Sequence, residues 1–257
     1  MLLAIDIGNS NITVGIWDDQ VSRKEWRLQT MHHKTADEYG LALVGLMREE
    51  GLAASITGVI LSSVVPALTQ TFVQLCHQIL NLEPVIVNAE IDLGITIRTD
   101  NPQEVGADRL VNAVAAFHMV NSPCIVIDMG TATTFDVISA SGELLGVAIA
   151  PGLSLAANAL ISQAARLSQV PLVAPPQAIG RNTTHAVQSG LIYGYVSLVE
   201  GMVNRLISEH PDRDSNILVL GTGGLIHLIF PYTEIIDQIE PWLTLIGLRI
   251  IYQRINH

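Results

Sequence analysis

Cysteine is scarce in this sequence, and its first residues do not have the pattern of a signal peptide. Only two cysteines, Cys76 and Cys124, occur in 257 residues, whereas secreted scaffolds carry more and zinc sites show close Cys and His pairs. Both lie in apolar surroundings, which predicts reduced thiols in the core of a cytoplasmic protein. The N-terminus has no basic region and reaches Asp6 at once, so we expect no signal peptide.

Charge is scarce, and basic charge is scarcest. Charged residues make up 14% of the chain, and 13 basic residues face 24 acidic ones, for a net charge of −11. A protein that neutralises the phosphates of DNA or RNA would be expected to have the opposite balance. We therefore expect no nucleic-acid partner, and any phosphorylated ligand should be small and held by backbone amides, dipoles or a metal ion.

Two long stretches, residues 51–82 and 144–165, contain no charged residue. Each is long enough to span a bilayer, but prolines and polar residues interrupt both. Each pattern indicates a buried strand, a turn and then a helix, because strands covered on both faces read as continuous apolar runs. We expect no membrane span.

Two common nucleotide-binding signatures are also absent, the dinucleotide fingerprint GxGxxG and the P-loop GxxxxGK[ST]. The segment Gly221-Thr-Gly-Gly224 does follow a predicted strand in a context where nucleotides bind. A tight turn between a strand and a helix explains these glycines equally well.

What the sequence does contain is an alternation of apolar strands and helical patterns. Strands are predicted at LLAIDI, TVGIWD, VILSSVV, PVIVNA, PCIVID and NILVLG. Helices are predicted after the capping-box residue Thr35, from Pro66 to Leu80, from about Pro102 to Val120, from about Thr183 to Ser208 and from Trp242 to Ile255. The alternation predicts an α/β protein with substantial parallel pairing, and the length favours two domains.

An internal repeat supports two similar halves. Residues Asp6, Gly8 and Asn9 align with Asp128, Gly130 and Thr131, and each copy ends an apolar strand. A second β-like run follows each copy at once, so both predict the turn of a hairpin that opens a domain.

The repeated turn has the composition of a phosphate site. Glycine lets a backbone approach a ligand closely, and successive turn amides form a concavity that binds anions. An aspartate beside a phosphate requires a cation between them, and Mg²⁺ commonly bridges carboxylates and phosphates. The alternative is an ordinary Asx turn between two strands.

A further candidate is the pair Asp108 and Arg109, which stands at the head of an otherwise apolar helix. One interpretation is a structural ion pair, since charges in such surroundings need partners. The other separates their roles: Asp108 takes a proton from a substrate hydroxyl, and Arg109 binds a substrate carboxylate through its planar fork.

Taken together, the motifs resemble those of the type III pantothenate kinase family, which belongs to the superfamily of acetate and sugar kinases, Hsp70 and actin. The resemblance covers nearly the whole chain. The motifs that carry it are Asp6-Ile-Gly-Asn-Ser-Asn11, Ser62-Ser-Val-Val-Pro66, Asn101-Pro102, Gly106-Ala-Asp-Arg109, Asp128-Met-Gly-Thr131, Pro151-Gly152, Gly180-Arg-Asn-Thr183, Thr222-Gly-Gly224 and Leu243-Thr-Leu-Ile-Gly-Leu248.

The resemblance implies an α/β fold of two ribonuclease-H-like domains, residues 1–117 and 118–257, with mixed sheets flanked by helices and ATP in the cleft between domains. It implies ATP-dependent phosphorylation of pantothenate, the first step of coenzyme A biosynthesis, in a cytoplasmic homodimer whose partner subunit helps to shape the substrate pocket. The cofactors would be Mg²⁺ and a monovalent cation, K⁺ or NH₄⁺.

The resemblance also implies roles for individual residues. Asp108 would be the general base, and Asp128 would bind the monovalent cation. The ATP-binding residues would be Asp6, Ile7, Gly8, Asn9, Ser10, Asn11, Ile12, Thr13 and Thr131, with Asp6 near Mg²⁺ through water. The pantothenate-binding residues would be Thr99, Gly106, Ala107, Asp108, Arg109 and Thr183.

One position departs from the family pattern. The family usually has a tyrosine two residues before the Asn-Pro pair, and Thr99 stands there in this sequence. Threonine keeps a hydroxyl but loses the aromatic surface, which bears on pantothenate affinity more than on phosphoryl transfer. Two other functions therefore stay open: a related kinase that acts on another small alcohol, or a catalytically inactive nucleotide-binding regulator.

Overall fold

The structure is a computed structural model that describes residues 1–164 and 169–256. Its strands are β1 (Leu2–Ile7), β2 (Asn11–Asp18), β3 (Val21–Gln29), β4 (Gly58–Ser63), β5 (Pro84–Ile86), β6 (Thr96–Ile97), β7 (Cys124–Met129), β8 (Ala132–Ile138), β9 (Glu143–Pro151), β10 (Leu218–Thr222) and β11 (Gln238–Ile239). Its α-helices are α1 (Ala36–Glu49), α2 (Pro66–Leu75), α3 (Ala107–Val120), α4 (Leu153–Gln163), α5 (Thr183–Glu209) and α6 (Leu243–Asn256).

The chain divides into two compact units. The first contains Met1–Ala115 and the segment from Leu243 onward, and the second contains Ala116–Trp242. The sequence-based division after residue 117 lies close to this boundary but placed the closing helix α6 in the second domain. In the structure α6 packs on the first unit, where Leu245 contacts Gly15 of β2 and Tyr252 contacts Gly58 of β4.

The sheet of the first unit has the order β3-β2-β1-β4-β5. Strands β1, β2 and β3 are antiparallel neighbours, whereas β4 runs parallel to β1 and β5 parallel to β4. Alternate residues such as Ile5, Ile7 and Leu61 enter a core with Tyr39 and Phe72 of the helices α1 and α2. The opposite face of this sheet is covered by α6.

The five strands of the second unit repeat this arrangement in the order β9-β8-β7-β10-β11. Strands β7, β8 and β9 are antiparallel neighbours, β10 runs parallel to β7, and β11 runs parallel to β10. Core residues of β7 and β8, among them Ile127 and Phe135, pack against Leu191 and Val199 of α5. The predicted mixed α/β fold with two related sheets is confirmed, and so is the hairpin after each Asp-x-Gly motif.

Local sequence signals explain most element boundaries. Thr35 and Glu38 form both halves of a capping box at the start of α1, and Pro66 occupies the first turn of α2. The Asn182 side chain accepts a hydrogen bond from the His185 amide, 2.8 Å away, and so caps α5. The uncharged stretches are the predicted strand–turn–helix units, although residue 165 lies outside the described residues.

Two boundaries differ from the sequence expectation. The helix expected from Pro66 to Leu80 is α-helical to Leu75 and widens into a π turn at Cys76–Leu80. The helix expected from Pro102 begins instead at Ala107, after a short 3₁₀ turn at Pro102–Glu104. The later start makes Asp108 a first-turn residue of α3.

Both cysteines are unpaired and buried, as the sequence predicts. Burial raises the pKa of the Cys124 thiol to about 12, and burial together with Glu83 raises the pKa of Cys76 to about 12. Thiols with such pKa values are protonated and unreactive at neutral pH. Among residues 1–164 and 169–256, no helix combines the length and the apolar character that crossing a membrane requires.

Candidate active site

The first unit contains one candidate phosphate-binding element, the turn between β1 and β2. Asp6 is half-buried near the end of β1, while Asn9, Ser10 and Asn11 are exposed. The Gly8 amide donates to the Asn11 carbonyl at 3.0 Å and closes the turn. Polar side chains and a glycine backbone are thus presented to solvent beside a carboxylate, which is what an anion bound through a cation requires.

Two hydrogen bonds from Thr30, the residue that follows β3, fix this turn. The Thr30 hydroxyl, at the end of β3, donates to the Gly8 carbonyl at 2.7 Å, and the Thr30 amide donates to the Ser10 carbonyl at 3.1 Å. Thr30 is buried. The turn is therefore held in one conformation before any ligand arrives, which lowers the entropic cost of binding.

The Asp108 carboxylate folds back over the first turn of α3. It accepts a hydrogen bond from the Arg109 amide at 2.8 Å and from the Arg109 guanidinium at 2.9 Å. The Asp108 side chain is 26% exposed and that of Arg109 is 10% exposed. The structure thus contains the ion pair expected if these charges are structural. The Asp108 carboxylate also remains partly exposed to solvent, as a role in proton transfer requires.

Glycine at position 106 is what permits this conformation. A Cβ atom at Gly106 would lie 2.6 Å from Asp108 Oδ1, closer than real Cβ contacts allow, and 3.5 Å from Val64 Cγ1. The Val64 amide in turn donates to the Ile7 carbonyl at 3.1 Å. Within the first unit, these contacts bring the head of α3 to the end of the sheet where the Asp6 turn lies.

Thr99 lies between these motifs in the chain. Its hydroxyl oxygen is buried and has no hydrogen-bond partner. The hydroxyl that the sequence retains at this position is therefore not used for internal structure.

The second unit contains a similar candidate element, the turn between β7 and β8. Asp128 is half-buried near the end of β7, and Thr131 is exposed. The Gly130 amide donates to the Ala132 carbonyl at 2.9 Å. In both turns the glycine amide closes the turn, but it bonds to the third residue along at Asn11 and to the second at Ala132.

Two further glycines pack directly on the second turn. Gly223 has φ +89°, and a Cβ atom there would lie 2.5 Å from Asp128 Oδ1 and 2.6 Å from the Met129 backbone. A Cβ atom at Gly152 would lie 2.1 Å from the Thr131 carbonyl oxygen. Both predicted glycine motifs, Pro151-Gly152 and Thr222-Gly-Gly224, therefore meet the Asp128 turn.

Thr183 borders a cavity of about 780 Å³ in the second unit. The Tyr195 ring lines this cavity, and its hydroxyl donates to the Pro151 carbonyl at 2.8 Å. Tyr195 thus connects the cavity to the Pro151-Gly152 segment, which packs on the Asp128 turn. The lining residues are Ala156, Leu160, Gly180, Arg181, Asn182, Thr183, Ala186, Val187, Gly190, Leu191 and Tyr195.

Sequence reasoning missed Tyr195 and the contact between Gly223 and Asp128. No local motif marks Tyr195, because it lies two turns or more inside the long helix α5. The glycine contact could have been inferred, because β10 runs parallel beside β7 and places Thr222 opposite Asp128.

Each turn offers carboxylate oxygens, which are ligands that suit hard cations such as Mg²⁺. Among residues 1–164 and 169–256, no group of three or more His, Cys, Asp or Glu side chains could hold a metal ion. Mg²⁺ needs no such cluster, since it is commonly bound by one or two carboxylates, substrate phosphates and water. The single carboxylate at each turn, Asp6 and Asp128, matches that chemistry.

Comparison with solved structures supports the fold. A protein described as a Baf family transcriptional activator from Campylobacter jejuni has a TM-score of 0.58 at 21% identity, over 98% of both chains. An inorganic polyphosphate/ATP-glucomannokinase from Arthrobacter has a TM-score of 0.51 at 18% identity, also over 98% of both chains. These likenesses show the fold: two sheets of one topology, each with an Asp-x-Gly turn after its first strand.

Sequence comparison identifies the family of the chain. A family model for type III pantothenate kinase matches residues 2–205. The type III pantothenate kinase of Moorella thermoacetica is 47% identical over 255 residues, which cover 99% of each chain. The chain belongs to the type III pantothenate kinase family.

Proposed function

We propose that this chain transfers the γ-phosphoryl group of ATP to the primary hydroxyl of pantothenate, the first step of coenzyme A biosynthesis. The observation that carries the proposal is the pre-formed Asp108 carboxylate, which Gly106 and Arg109 hold at the head of α3. It lies in the same unit as the rigid Asp6 turn, so one unit supplies both a proton acceptor and a phosphate-binding turn.

Phosphoryl transfer needs positioning and charge stabilisation more than covalent chemistry from the protein. The segment Asp6 to Thr13 binds the ATP phosphates through its turn amides and polar side chains, and Thr131 contacts the same nucleotide. Asp6 would hold Mg²⁺ through water, and Asp128 would hold K⁺ or NH₄⁺. When bound, these cations would supply the positive charge that a P-loop lysine provides elsewhere.

Asp108 accepts the proton of the attacking hydroxyl at a carboxylate oxygen. One Asp108 oxygen accepts the Arg109 amide and the other accepts the guanidinium, so the carboxylate is held in one orientation. Gly106, Ala107, Arg109 and Thr183 contact pantothenate, whose carboxylate suits the planar fork of Arg109. Thr99 stands where the family usually has tyrosine, and its buried hydroxyl has no hydrogen-bond partner within the fold.

We also propose that the chain forms a homodimer whose partner surface completes the pantothenate pocket. Gly190 and Gly194 lie one turn apart on α5, both are exposed, and a Cβ atom at either would meet nothing within 4 Å. Such a bare helix surface permits close approach of a second helix. Light scattering after size-exclusion chromatography should give twice the mass of 27.7 kDa, and a monomer mass at assay concentrations would contradict the proposal.

The function is tested by coupled ADP release with a panel of acceptors, with and without K⁺. We expect rapid ADP release with pantothenate, a much slower rate without a monovalent cation, and background rates with sugars and acetate. A preferred sugar or acetate acceptor would establish the related-kinase alternative. Nucleotide binding without product from any pantothenate-like alcohol would establish an inactive regulator.

A further inference from the structure

Ser62 carries a buried hydroxyl that the fold itself does not use. The residue is 0% exposed, and its Oγ atom has no hydrogen-bond partner. Buried polar groups are normally hydrogen-bonded, because leaving one unpaired destabilises the folded state. An unpaired hydroxyl kept in the core therefore calls for a role outside internal structure.

The position of Ser62 suggests that role. Strand β4 runs parallel to β1, and Ser62 stands opposite Asp6 in the register. Ile5, Ile7 and Leu61 point into the core beneath this sheet, so Asp6 and Ser62 share the opposite face, because side chains alternate along a strand. Neighbouring strands are about 4.8 Å apart, which is within reach of a hydrogen bond once the side chains turn toward each other.

The adjacent Ser63 behaves differently. Its Oγ atom accepts hydrogen bonds from the Thr69 hydroxyl at 2.7 Å and from the Val65 amide at 3.2 Å. Ser63 lies on the other face of β4 and fixes the turn into α2. Of two consecutive serines, one is hydrogen-bonded within the fold, and the other has no partner and lies beside Asp6 in the register.

We propose that Ser62 is a positioning residue for Asp6. When a magnesium nucleotide binds, the Ser62 hydroxyl donates a hydrogen bond to one carboxylate oxygen of Asp6 and leaves the other oxygen directed at the hydrated cation. Hydrogen-bond partners of metal-binding carboxylates orient them and tune their affinity. This inference rests on the role of Asp6 in the proposed function.

Two measurements on Ser62→Ala test the inference without turnover. Calorimetric titration with magnesium and a non-hydrolysable ATP analogue should show roughly tenfold weaker binding, in the range seen when such supporting residues are removed. Thermal unfolding without ligand should occur at the same or a higher temperature, because alanine removes an unsatisfied hydroxyl rather than a bond.

Ser63→Ala is the matched control. It removes a hydroxyl that the fold does use, so its unfolding temperature should fall while its affinity for the magnesium nucleotide stays at the wild-type value. Wild-type affinity in Ser62→Ala would overturn the inference, and so would a loss of affinity that merely follows a loss of stability.

Asp6→Asn separates failure of this inference from failure of the proposed function. If Asp6→Asn weakens nucleotide binding and Ser62→Ala does not, only the role of Ser62 is wrong. If Asp6→Asn also binds with wild-type affinity, the role of Asp6 itself is wrong.

Discussion

Asp108→Asn should fold, bind ATP with wild-type affinity and turn over about 10²–10⁴-fold more slowly, the usual range for loss of a general base. Asparagine has nearly the same shape but cannot accept the proton of the attacking hydroxyl. The Arg109 amide keeps an acceptor in the asparagine carbonyl, so the local structure persists. Steady-state kinetics with pantothenate and a separate nucleotide titration measure the two quantities.

Asp37→Asn provides a control at an equivalent place in another helix. Asp37 is the second residue of α1, as Asp108 is of α3, and it is exposed. Both variants lose one favourable charge at a helix N-terminus, worth about 0.3–1 kcal/mol, but only Asp108→Asn should lose activity. Near-normal turnover in Asp108→Asn would remove the general-base assignment and leave the structural ion pair with Arg109 as the role of this residue.

Gly223→Ala should damage both stability and the Asp128 turn. A side chain at φ +89° is strained, at a cost of about 1–2 kcal/mol. The added Cβ would lie 2.5 Å from Asp128 Oδ1 and 2.6 Å from the Met129 backbone, and overpacking of this kind costs about 1–3 kcal/mol more. Since a misplacement of about 1 Å can cost on the order of 100-fold in rate, we expect a loss of that size in kcat/KM.

Gly51→Ala isolates the backbone strain from the steric contact. Gly51 has φ +72°, and a Cβ atom there would meet nothing within 4 Å. This variant should lose about 1–2 kcal/mol of stability and keep full activity and full dependence on K⁺. Equal losses of stability in the two variants, with Gly223→Ala fully active, would show that Gly223 does not hold the Asp128 turn in place.

Local rules made much of the fold predictable. The capping box at Thr35, the proline at the start of α2 and the apolar runs of β1, β4 and β7 are signals that no tertiary context overrides. The repeat of Asp-x-Gly predicted two related halves, and the two sheets share one strand order. Each of these features is encoded within about ten residues of sequence.

Features that depend on tertiary packing escaped prediction. Strand β3 has the sequence VSRKEWRLQ. Its charges are typical of an edge strand and mask the alternation of apolar and polar residues by which a strand is predicted. Thr30, the residue that follows β3, nevertheless bonds to Gly8 and holds the Asp6 turn. The later start of α3 also escaped notice, because the conformation at Gly106 follows from the Asp108 carboxylate and Val64 rather than from helix propensity.

Candidate site residues were predictable by type but not by environment. The sequence marks Asp108 and Arg109 as unusual charges, and the structure adds that they bond to each other at 2.9 Å. The sequence marks Ser62 and Ser63 only as parts of one motif. In the structure, strand register and hydrogen bonding show that the two serines have different environments. Burial and partners are properties of the folded chain, so composition and spacing could not supply them.

In the proposed function, both Asp-x-Gly turns bind the same triphosphate. A crystal structure with magnesium, K⁺ and a non-hydrolysable ATP analogue tests it most directly. The account predicts phosphate oxygens on amides between Gly8 and Asn11, a cation between those phosphates and Asp6, and contact of the same nucleotide with Thr131. A nucleotide bound to one turn only, or at a site that involves neither, would contradict it.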